Sequence, residues 1–328
     1  MSKRAAYYLR LVISLGLLVF ILTRVDLQGL AEVLRTAETS KLYTGLFLIM
    51  VISPLMGALK MIVLLRGQGH TVSLSRMLII DLSSRFYGLL APSGVGHGAV
   101  RWYRLGSEVS DRAVATVCVV FNRLAQTLTV VGIGFLCWMA DDDKPALNTS
   151  IFFYGLLVLG LTYALLLTRH PWLLLERICH FLLPAKVAAL VSRLLGSVEK
   201  MARAGFRIHF LLFTVSAARQ FTLIAGNFCL ALALGAPVSF FDLGWVRAVG
   251  FLVGHLPVSV AEVGLRELTY LTLLKSLGVE PHIALALPLL LSTAALTVAG
   301  VGGLIELFEV KSDRKNVSEY SPPPPGGH

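Results

Sequence analysis

Charged residues are scarce in this chain, and their scarcity excludes an ordinary soluble fold. Of the 328 residues, 15% are charged and 56% are hydrophobic, whereas a soluble domain has about 25% charged and about 45–50% apolar residues. The apolar residues recur in runs close to the ~20 residues that a bilayer-crossing helix needs. The composition therefore predicts an all-α polytopic membrane protein.

Motifs for metal, nucleotide or covalent chemistry are also lacking. No G-x-x-x-x-G-K-[ST] loop occurs, and no nucleophile–base pair or paired carboxylate set is present. The cysteines show no spacing of metal ligands, so buried free thiols are a better interpretation than disulfides. These cysteines are Cys118, Cys137, Cys179 and Cys229. We therefore expect no metal, no cofactor, no nucleic-acid partner and no enzymatic activity.

Apolar runs and the charges between them predict the topology. The N-terminal run resembles a signal peptide but lacks a small-x-small cleavage site, so we interpret it as a retained first span. Basic residues are in excess in the N-terminus, in residues 169–207 and in the tail, and such an excess is typical of cytoplasmic segments. Six crossings of the cell membrane with both termini cytoplasmic agree with the charge of every loop. The predicted spans are 7–23, 42–65, 113–139, 150–168, 208–235 and 282–308.

The basic linker 169–207 has a helical pattern of its own. Apolar residues between Val187 and Met201 recur at helical spacing, and basic residues occupy another face. This pattern predicts an amphipathic cytoplasmic helix that lies on the membrane surface or packs against the protein's own body. We expect residues 1–310 to form one transmembrane domain and residues 311–328 to form a disordered cytoplasmic tail.

Two further stretches are too apolar for loops and too interrupted for clean spans, and they predict re-entrant segments at about 70–110 and 240–280. Aligned on their prolines, they match at an offset of 165 residues, and the topology gives them opposite orientations. The matched positions are Pro92, His97 and Arg101 in the first stretch, and Pro257, Glu262 and Arg266 in the second. Opposed segments of this kind are typical of inverted-repeat transporters. We thus predict about six spans plus two re-entrant helical hairpins related as an inverted repeat.

The first of these stretches carries alternating glycines at Gly94, Gly96 and Gly98. Glycine within a helix costs about 1 kcal/mol relative to alanine, so these residues favour a turn. With a helix beginning near Gly98, bare backbone N–H groups would approach an anion at the helix N-terminus, with Arg101 one turn further on. The alternative is a plain helix–helix turn with small residues for close packing.

Arginines inside the apolar runs are a second indication of a site for an anion. Arg123 and Arg219 lie near the middle of predicted spans, where a cation is costly unless it is paired or hydrated. Either they form structural ion pairs or they leave room for an anionic guest, because few acids are available. The acids are Asp81, Glu262 and Glu267, of which Asp81 with Arg85 and Glu262 with Arg266 have the spacing of local helix pairs. Lys60 is expected to snorkel to the cytoplasmic surface, and His97 is either a polar lining residue or a proton relay.

These segments resemble the flippase-like family named after the transmembrane region of lysylphosphatidylglycerol synthase, over roughly residues 5–310. The similar stretches are "LLAPSGVGHGAVRWYRL" (89–105), "FNRLAQTL" (121–128) and "LPVSVAEVGLREL" (256–268). The family includes the N-terminal part of the multiple peptide resistance factor and stand-alone relatives. Ala261 and Glu262 stand where it usually has glycines, and His97 where it often has one. With no aminoacyl-transfer domain after residue 310, the synthase reaction is not expected.

The resemblance implies movement of an anionic or glycan-bearing amphiphilic lipid between leaflets. We expect a central arginine-lined cavity that binds such a membrane lipid, with a lipid- or glycan-synthesising enzyme as a possible partner. Alternatives are a non-catalytic protein that presents lipid to a synthase, or a membrane-embedded transferase acting on a lipid-linked sugar. The expected substrate-binding residues are Arg85, Gly94, Gly96, His97, Gly98, Arg101, Arg123, Arg219, Ser259, Glu262, Arg266 and Glu267.

Overall fold

The fold is helical throughout the part of the chain that the structure, a computed structural model, describes. That part comprises residues 32, 35–90, 95–141, 149–168, 185–254 and 264–319. Side chains are described there except at residues 89, 90, 95, 149–152, 185–188 and 309–319. No strand occurs in these ranges, in agreement with the predicted all-helical class.

Eleven α-helices and one π-helical turn make up these ranges. They are α1 (Thr39–Phe47), the π turn (Leu48–Ile52), α2 (Ser53–Gly67), α3 (Leu74–Leu90), α4 (Val95–Glu108), α5 (Arg112–Met139), α6 (Thr149–Leu167), α7 (Ala185–Ala202), α8 (Phe206–Ala233), α9 (Phe240–Gly254), α10 (Leu265–Ser276) and α11 (Pro281–Glu319).

Four helical stretches are long and apolar enough to cross a membrane, and all four were predicted from the sequence. They are Thr39–Gly67, Arg112–Met139, Phe206–Ala233 and Pro281–Phe308. Helix α6 coincides with the predicted span 150–168, although its described apolar part, Phe153–Leu167, is shorter. The predicted span 7–23 lies outside the described residues. These stretches make the protein a multi-pass membrane protein.

The first of these stretches is interrupted by the π turn just before Pro54. A proline has no N–H, and its ring crowds the preceding turn of a helix. Here the N–H of Ser53 bonds to the carbonyl of Leu48, five residues earlier. The wider turn lets the chain pass the proline without leaving the helix.

Two helix pairs occupy the interrupted stretches. Helix α3 packs against α4, and α9 packs against α10. The first pair shares an apolar core with α2 and α5, whereas the second shares another with α8 and α11. Helix α3 also packs along α11, and α9 along α5. Each pair is therefore held against a long apolar helix and within a different core.

Glycines bring these helices into very close contact. A Cβ atom on Gly302 of α11 would lie 2.0 Å from the carbonyl oxygen of Leu82 in α3. A Cβ atom on Gly134 of α5 would lie 2.2 Å from that of Ala248 in α9. Because real Cβ atoms do not approach other atoms so closely, only glycine fits at these two contacts.

The predicted glycine turn in the first pair is wrong for two of its three residues. Helix α4 begins at Val95, so Gly96 and Gly98 lie in its first turn rather than before it. Gly94 lies outside the described residues. The N–H groups of this first turn have no intrahelical partner.

The amphipathic linker helix packs against the protein's own body, as the second of its two interpretations predicted. Helix α7 contacts α5, α6 and α2, and its Leu195 and Met201 are buried. Gln68 Nε2, at the end of α2, donates a hydrogen bond to the Ser197 carbonyl over 2.8 Å. This packing fixes the linker to the cytoplasmic ends expected for α2 and α5.

Helix α11 extends beyond the apolar run to Glu319. Its residues 311–319 belong to the segment for which the sequence predicted a disordered tail, and the disorder of that tail stays a prediction. Residues 320–328 lie outside the described part of the chain.

Candidate functional site

A buried carboxylate in α3 anchors the first group of polar residues. Asp81 is 1% exposed. Its Oδ2 lies 3.1 Å from Arg85 Nε, and its Oδ1 lies 3.3 Å from Arg101 Nη2. The local pair with Arg85 was predicted from the i, i+4 spacing, and the second partner comes from α4. The helix pair α3/α4 thus brings two guanidinium groups to one carboxylate.

His97 lies at the same junction of α3 and α4. Gly88 permits the close contact, because a Cβ atom there would lie 2.9 Å from His97 Cβ. Asp81, Arg85 and Arg101 are all within electrostatic range of the imidazole. Arg85, His97 and Arg101, which were selected from the sequence, therefore lie in one compact group.

Lys60 of α2 contradicts the expectation that it snorkels to the surface. Its side chain is buried, with 2% of the residue exposed. Among the described residues, no carboxylate lies within ion-pair distance of its amine. The charges within range are Arg219, Arg101, Asp81 and Arg123. The expectation failed because this face of α2 is covered by neighbouring helices, so the amine has no short path to water.

Arg219 of α8 lies across the same face of α2. Its Nε donates a hydrogen bond to the Ser53 carbonyl over 3.2 Å and lies 3.7 Å from where a Cβ atom on Gly57 would be. Arg85, Arg247, Asp81 and Arg101 are within electrostatic range of its guanidinium. The intramembrane arginine predicted on α8 therefore joins the group around Asp81.

Arg247 was not selected from the sequence, because it lies in an interrupted stretch rather than in a clean span. It belongs to α9, and its Nη2 donates to Gln220 Oε1 of α8 over 3.4 Å. An arginine inside the apolar run 240–254 was the available signal. We refer to Lys60, Arg85, Arg101, Arg219 and Arg247, with Asp81, as the cation cluster.

Arg123 lies at the edge of this cluster. It is within electrostatic range of Lys60, but its side chain is exposed. The guanidinium carbon is 6.0 Å from the centre of the Phe251 ring in α9, a distance at which a cation is attracted to an aromatic face.

The predicted residues of the second helix pair form a separate polar group. Glu267 is buried, and its Oε2 accepts a hydrogen bond from the Gly264 N–H over 2.6 Å, which caps α10. Its Oε1 accepts from the Ser292 hydroxyl and lies 3.7 Å from Arg266 Nη2. Glu267 therefore stabilises the start of α10 and balances Arg266. The remaining predicted residues, Ser259 and Glu262, lie outside the described part.

An acidic group lies at the opposite end of α5 from Arg112. At the start of α9, the Ser239 N–H donates to Asp242 Oδ2 over 2.7 Å, and the Asp242 N–H donates to Ser239 Oγ over 3.0 Å. Trp245 Nε1 donates to Asp141 Oδ2 over 2.8 Å. Burial raises the pKa of the Asp242 carboxyl, the Ser239 N–H opposes this, and the neighbouring Asp141 carboxyl adds to the rise.

A third polar group joins the first helix pair to α11. Arg104 of α4 pairs with Glu306, and the Tyr87 hydroxyl of α3 donates to the same carboxylate over 3.1 Å. Residues 87 and 306 lie too far apart in the sequence for spacing to suggest this contact. The group anchors α3 and α4 to the end of the fourth apolar stretch.

An apolar cavity of about 620 Å³ lies among α5, α6 and α8. Its wall includes Leu128, Gly132, Leu156, Gly160 and Phe213, and it includes no member of the cation cluster. Its lining suits a hydrocarbon chain better than a polar group.

Comparison with known proteins finds the same family that the sequence motifs resemble. The family model described as "Lysylphosphatidylglycerol synthase TM region" matches residues 7–303. No curated protein matches the chain significantly. The match spans both helix pairs and every member of the cation cluster.

Proposed function

Because this chain belongs to the family of the lysylphosphatidylglycerol synthase TM region, we propose that it is a lipid flippase. It moves an amphiphilic lipid with an anionic or glycan-bearing head group between the leaflets of the cell membrane. Both termini are cytoplasmic, as the distribution of basic residues indicates.

The observation that carries the proposal is the composition of the cation cluster. Two of its cations come from the first helix pair, one from the second, and two from α2 and α8. Among the described residues, Asp81 is the carboxylate that faces the four cations other than Arg247. Cations inside an apolar bundle are costly unless they are paired or hydrated. An anionic head group that enters between the helices would supply the missing negative charge.

The two helix pairs would act as re-entrant hairpins of an inverted repeat, opening from opposite leaflets. Their placement in two different apolar cores supports this arrangement. So does the recurrence of a buried carboxylate beside an arginine, Asp81 with Arg101 and Glu267 with Arg266. In transporters built this way, alternating access arises when one repeat rocks against the other around a fixed site.

The hydrocarbon chains of the lipid would remain in the apolar surroundings while the head group crosses. The cavity among α5, α6 and α8 supports this division, because its lining is apolar. The protein would bind and release an unchanged lipid. The lipid or glycan synthase that produces the lipid would be its partner, and a gradient or that partner would supply the driving force.

The experiment reconstitutes the full chain into liposomes with a fluorescent anionic phospholipid and measures how fast a membrane-impermeant reductant quenches the inner leaflet. The test variant is Arg101→Gln, and the matched control is Arg203→Gln, an exposed arginine paired with Glu199. Losing a charge-assisted contact costs about 1.5–3 kcal/mol, so we expect a roughly tenfold to hundredfold slower exchange for the test variant only.

Two outcomes would contradict the proposal. Exchange at the rate of empty liposomes by the wild type would remove flippase activity. A new covalent lipid product, detected by mass spectrometry of the liposome extract, would instead indicate a transferase.

A further inference from the structure

We infer that Lys60, Arg101 and Arg219 form one subsite for a doubly charged phosphate group. The inference deepens the proposed function by naming the chemistry of the head group, and its meaning for lipid transport rests on that function. The subsite unites residues from α2, α4 and α8, of which Lys60 was not expected to be buried.

The geometry of α2 places two of the three cations side by side. Ser53, Gly57 and Lys60 have the spacing i, i+4 and i+7, so they lie on one face of the helix. Arg219 crosses this face at Ser53 and Gly57, with its Nε on the Ser53 carbonyl. Lys60 follows on the next turn, within electrostatic range of Arg219. The absence of a side chain at Gly57 leaves the space over which the guanidinium lies.

Arg101 contributes donors that the described residues do not use. Only 8% of the residue is exposed, and it approaches Asp81 through Nη2 at 3.3 Å. Its Nε and Nη2 nevertheless make no hydrogen bond of good geometry with any described group. Buried donors of native proteins are nearly all satisfied, so these two nitrogens indicate a ligand. Arg101 is also within electrostatic range of both Lys60 and Arg219.

The balance of charge selects the class of ligand. Lys60, Arg85, Arg101 and Arg219 face Asp81 alone among the carboxylates that the structure describes near them. A ligand with one negative charge would leave most of this excess uncompensated. A phosphate monoester or diphosphate carries about two charges and presents several acceptor oxygens.

The mixture of cations also suits phosphate. Arginine binds phosphate through paired N–H groups, and lysine binds it as a compact point charge. The donors belong to three different helices, and a tetrahedral oxyanion can accept hydrogen bonds from more directions than a planar carboxylate. The shared chemistry is that of a free phosphate or of a phosphomonoester head group on a lipid.

The experiment measures anion binding by the full chain in detergent through its thermal unfolding and by isothermal titration. The probes are inorganic phosphate, sulfate and chloride at equal ionic strength, and then micelles doped with phosphatidic acid or phosphatidylglycerol. We expect saturable stabilisation by phosphate and sulfate but not by chloride. Phosphatidic acid is expected to bind at least tenfold more tightly than phosphatidylglycerol.

The key variant is Lys60→Met, with Lys275→Met at an exposed position of α10 as the matched control. Methionine has a similar shape and removes a buried charge that has no carboxylate partner in the described part of the chain, so the variant should unfold at the same or a higher temperature without anion. We expect it to weaken phosphate binding at least tenfold, whereas the control binds like the wild type. Arg219→Gln tests the subsite from α8 and should also weaken binding at least tenfold.

Several outcomes separate the possibilities. Binding of phosphate that phosphatidic acid does not displace supports the subsite and assigns it to a free anion; displacement assigns it to a lipid head group. Equal responses to phosphate and chloride, or unchanged binding by Lys60→Met, would overturn the inference. Lys60-dependent binding without lipid exchange in liposomes would leave the subsite standing and remove the flippase proposal. If Lys60→Met changes neither phosphate binding nor lipid exchange, only the subsite is removed and the flippase proposal stands.

Discussion

The contact between α3 and α11 leads to the most direct prediction, because adding one methyl group at Gly302 should break it. A Cβ atom there would lie 2.0 Å from the Leu82 carbonyl oxygen and 2.5 Å from its carbonyl carbon, and real Cβ atoms essentially never come within 3.0 Å. Both atoms belong to the backbone, so no side chain can rotate away. The two helices would have to separate by at least 1 Å, the difference between 3.0 and 2.0 Å.

The size of the effect follows from two opposing contributions. Overpacking of a close contact costs about 1–3 kcal/mol, and separating α3 from α11 also loosens the neighbouring contact of Gly303 with Phe86. Replacing glycine by alanine inside a helix gains about 1 kcal/mol. Because the clash is with backbone atoms, we expect a cost near the upper end of the overpacking range, so Gly302→Ala should lower the free energy of unfolding by about 1–2 kcal/mol. Asp81, adjacent to Leu82, should be displaced with it, so anion binding should weaken too.

Gly300→Ala is the matched control, because no atom lies within 4 Å of a Cβ atom at that position. It keeps the propensity gain of about 1 kcal/mol without the clash. The measurement is unfolding in detergent followed by the fluorescence of the four tryptophans. If Gly302→Ala proves as stable as Gly300→Ala, the close approach of α3 and α11 is refuted.

Two further predictions concern carboxylates. Asp81→Asn leaves the buried Arg101 without its ionic partner and should cost about 3–5 kcal/mol of stability, part of which saturating inorganic phosphate should restore; an unchanged unfolding temperature would contradict the ion pairs. The pKa of Asp242 is raised in the folded protein, so its contribution to stability is present below the unfolded value, about 3.9, and is lost as pH rises through the folded value. Asp242→Asn, whose amide oxygen still caps Ser239, should remove this loss of stability as the pH rises above about 4. Parallel pH profiles for variant and wild type would disprove the buried Asp141–Asp242 contact.

The sequence predicted what depends on local spacing. Hydropathy located four of the spans, and the i, i+4 rule located the pair of Asp81 with Arg85. Arg219 was selected because a cation within an apolar run is costly wherever the helix points, and Arg101 because it follows the glycines of the first interrupted stretch. These predictions required no knowledge of which helices are neighbours.

What the sequence did not predict depends on which helices meet. Whether Lys60 snorkels or is buried is decided by α8 and α3, which pack against α2. Arg247 enters the cation cluster only because α9 packs beside α8. The Glu306 contacts to Tyr87 and Arg104 join residues that are 219 and 202 positions apart in the sequence. In each case the outcome follows from tertiary packing, which periodicity along one helix does not contain.

The π turn ahead of Pro54 decides where the first apolar stretch can change its length. Gly45 of α1 is locked against Gly226 of α8, with a Cβ atom on Gly45 lying 2.8 Å from the Gly226 oxygen. Between that lock and Lys60, the widened turn accommodates about one residue more than an α-helix would. Removing one residue from 48–52 would let the turn close to an ordinary α-helix and keep the orientation of Lys60. Removing one residue between Ser53 and Lys60 would instead rotate everything beyond it by about 100° and turn the amine away from Arg219. The π turn is therefore the place where this stretch can lose a single position, whereas the helix that follows it can exchange apolar side chains but cannot change its length.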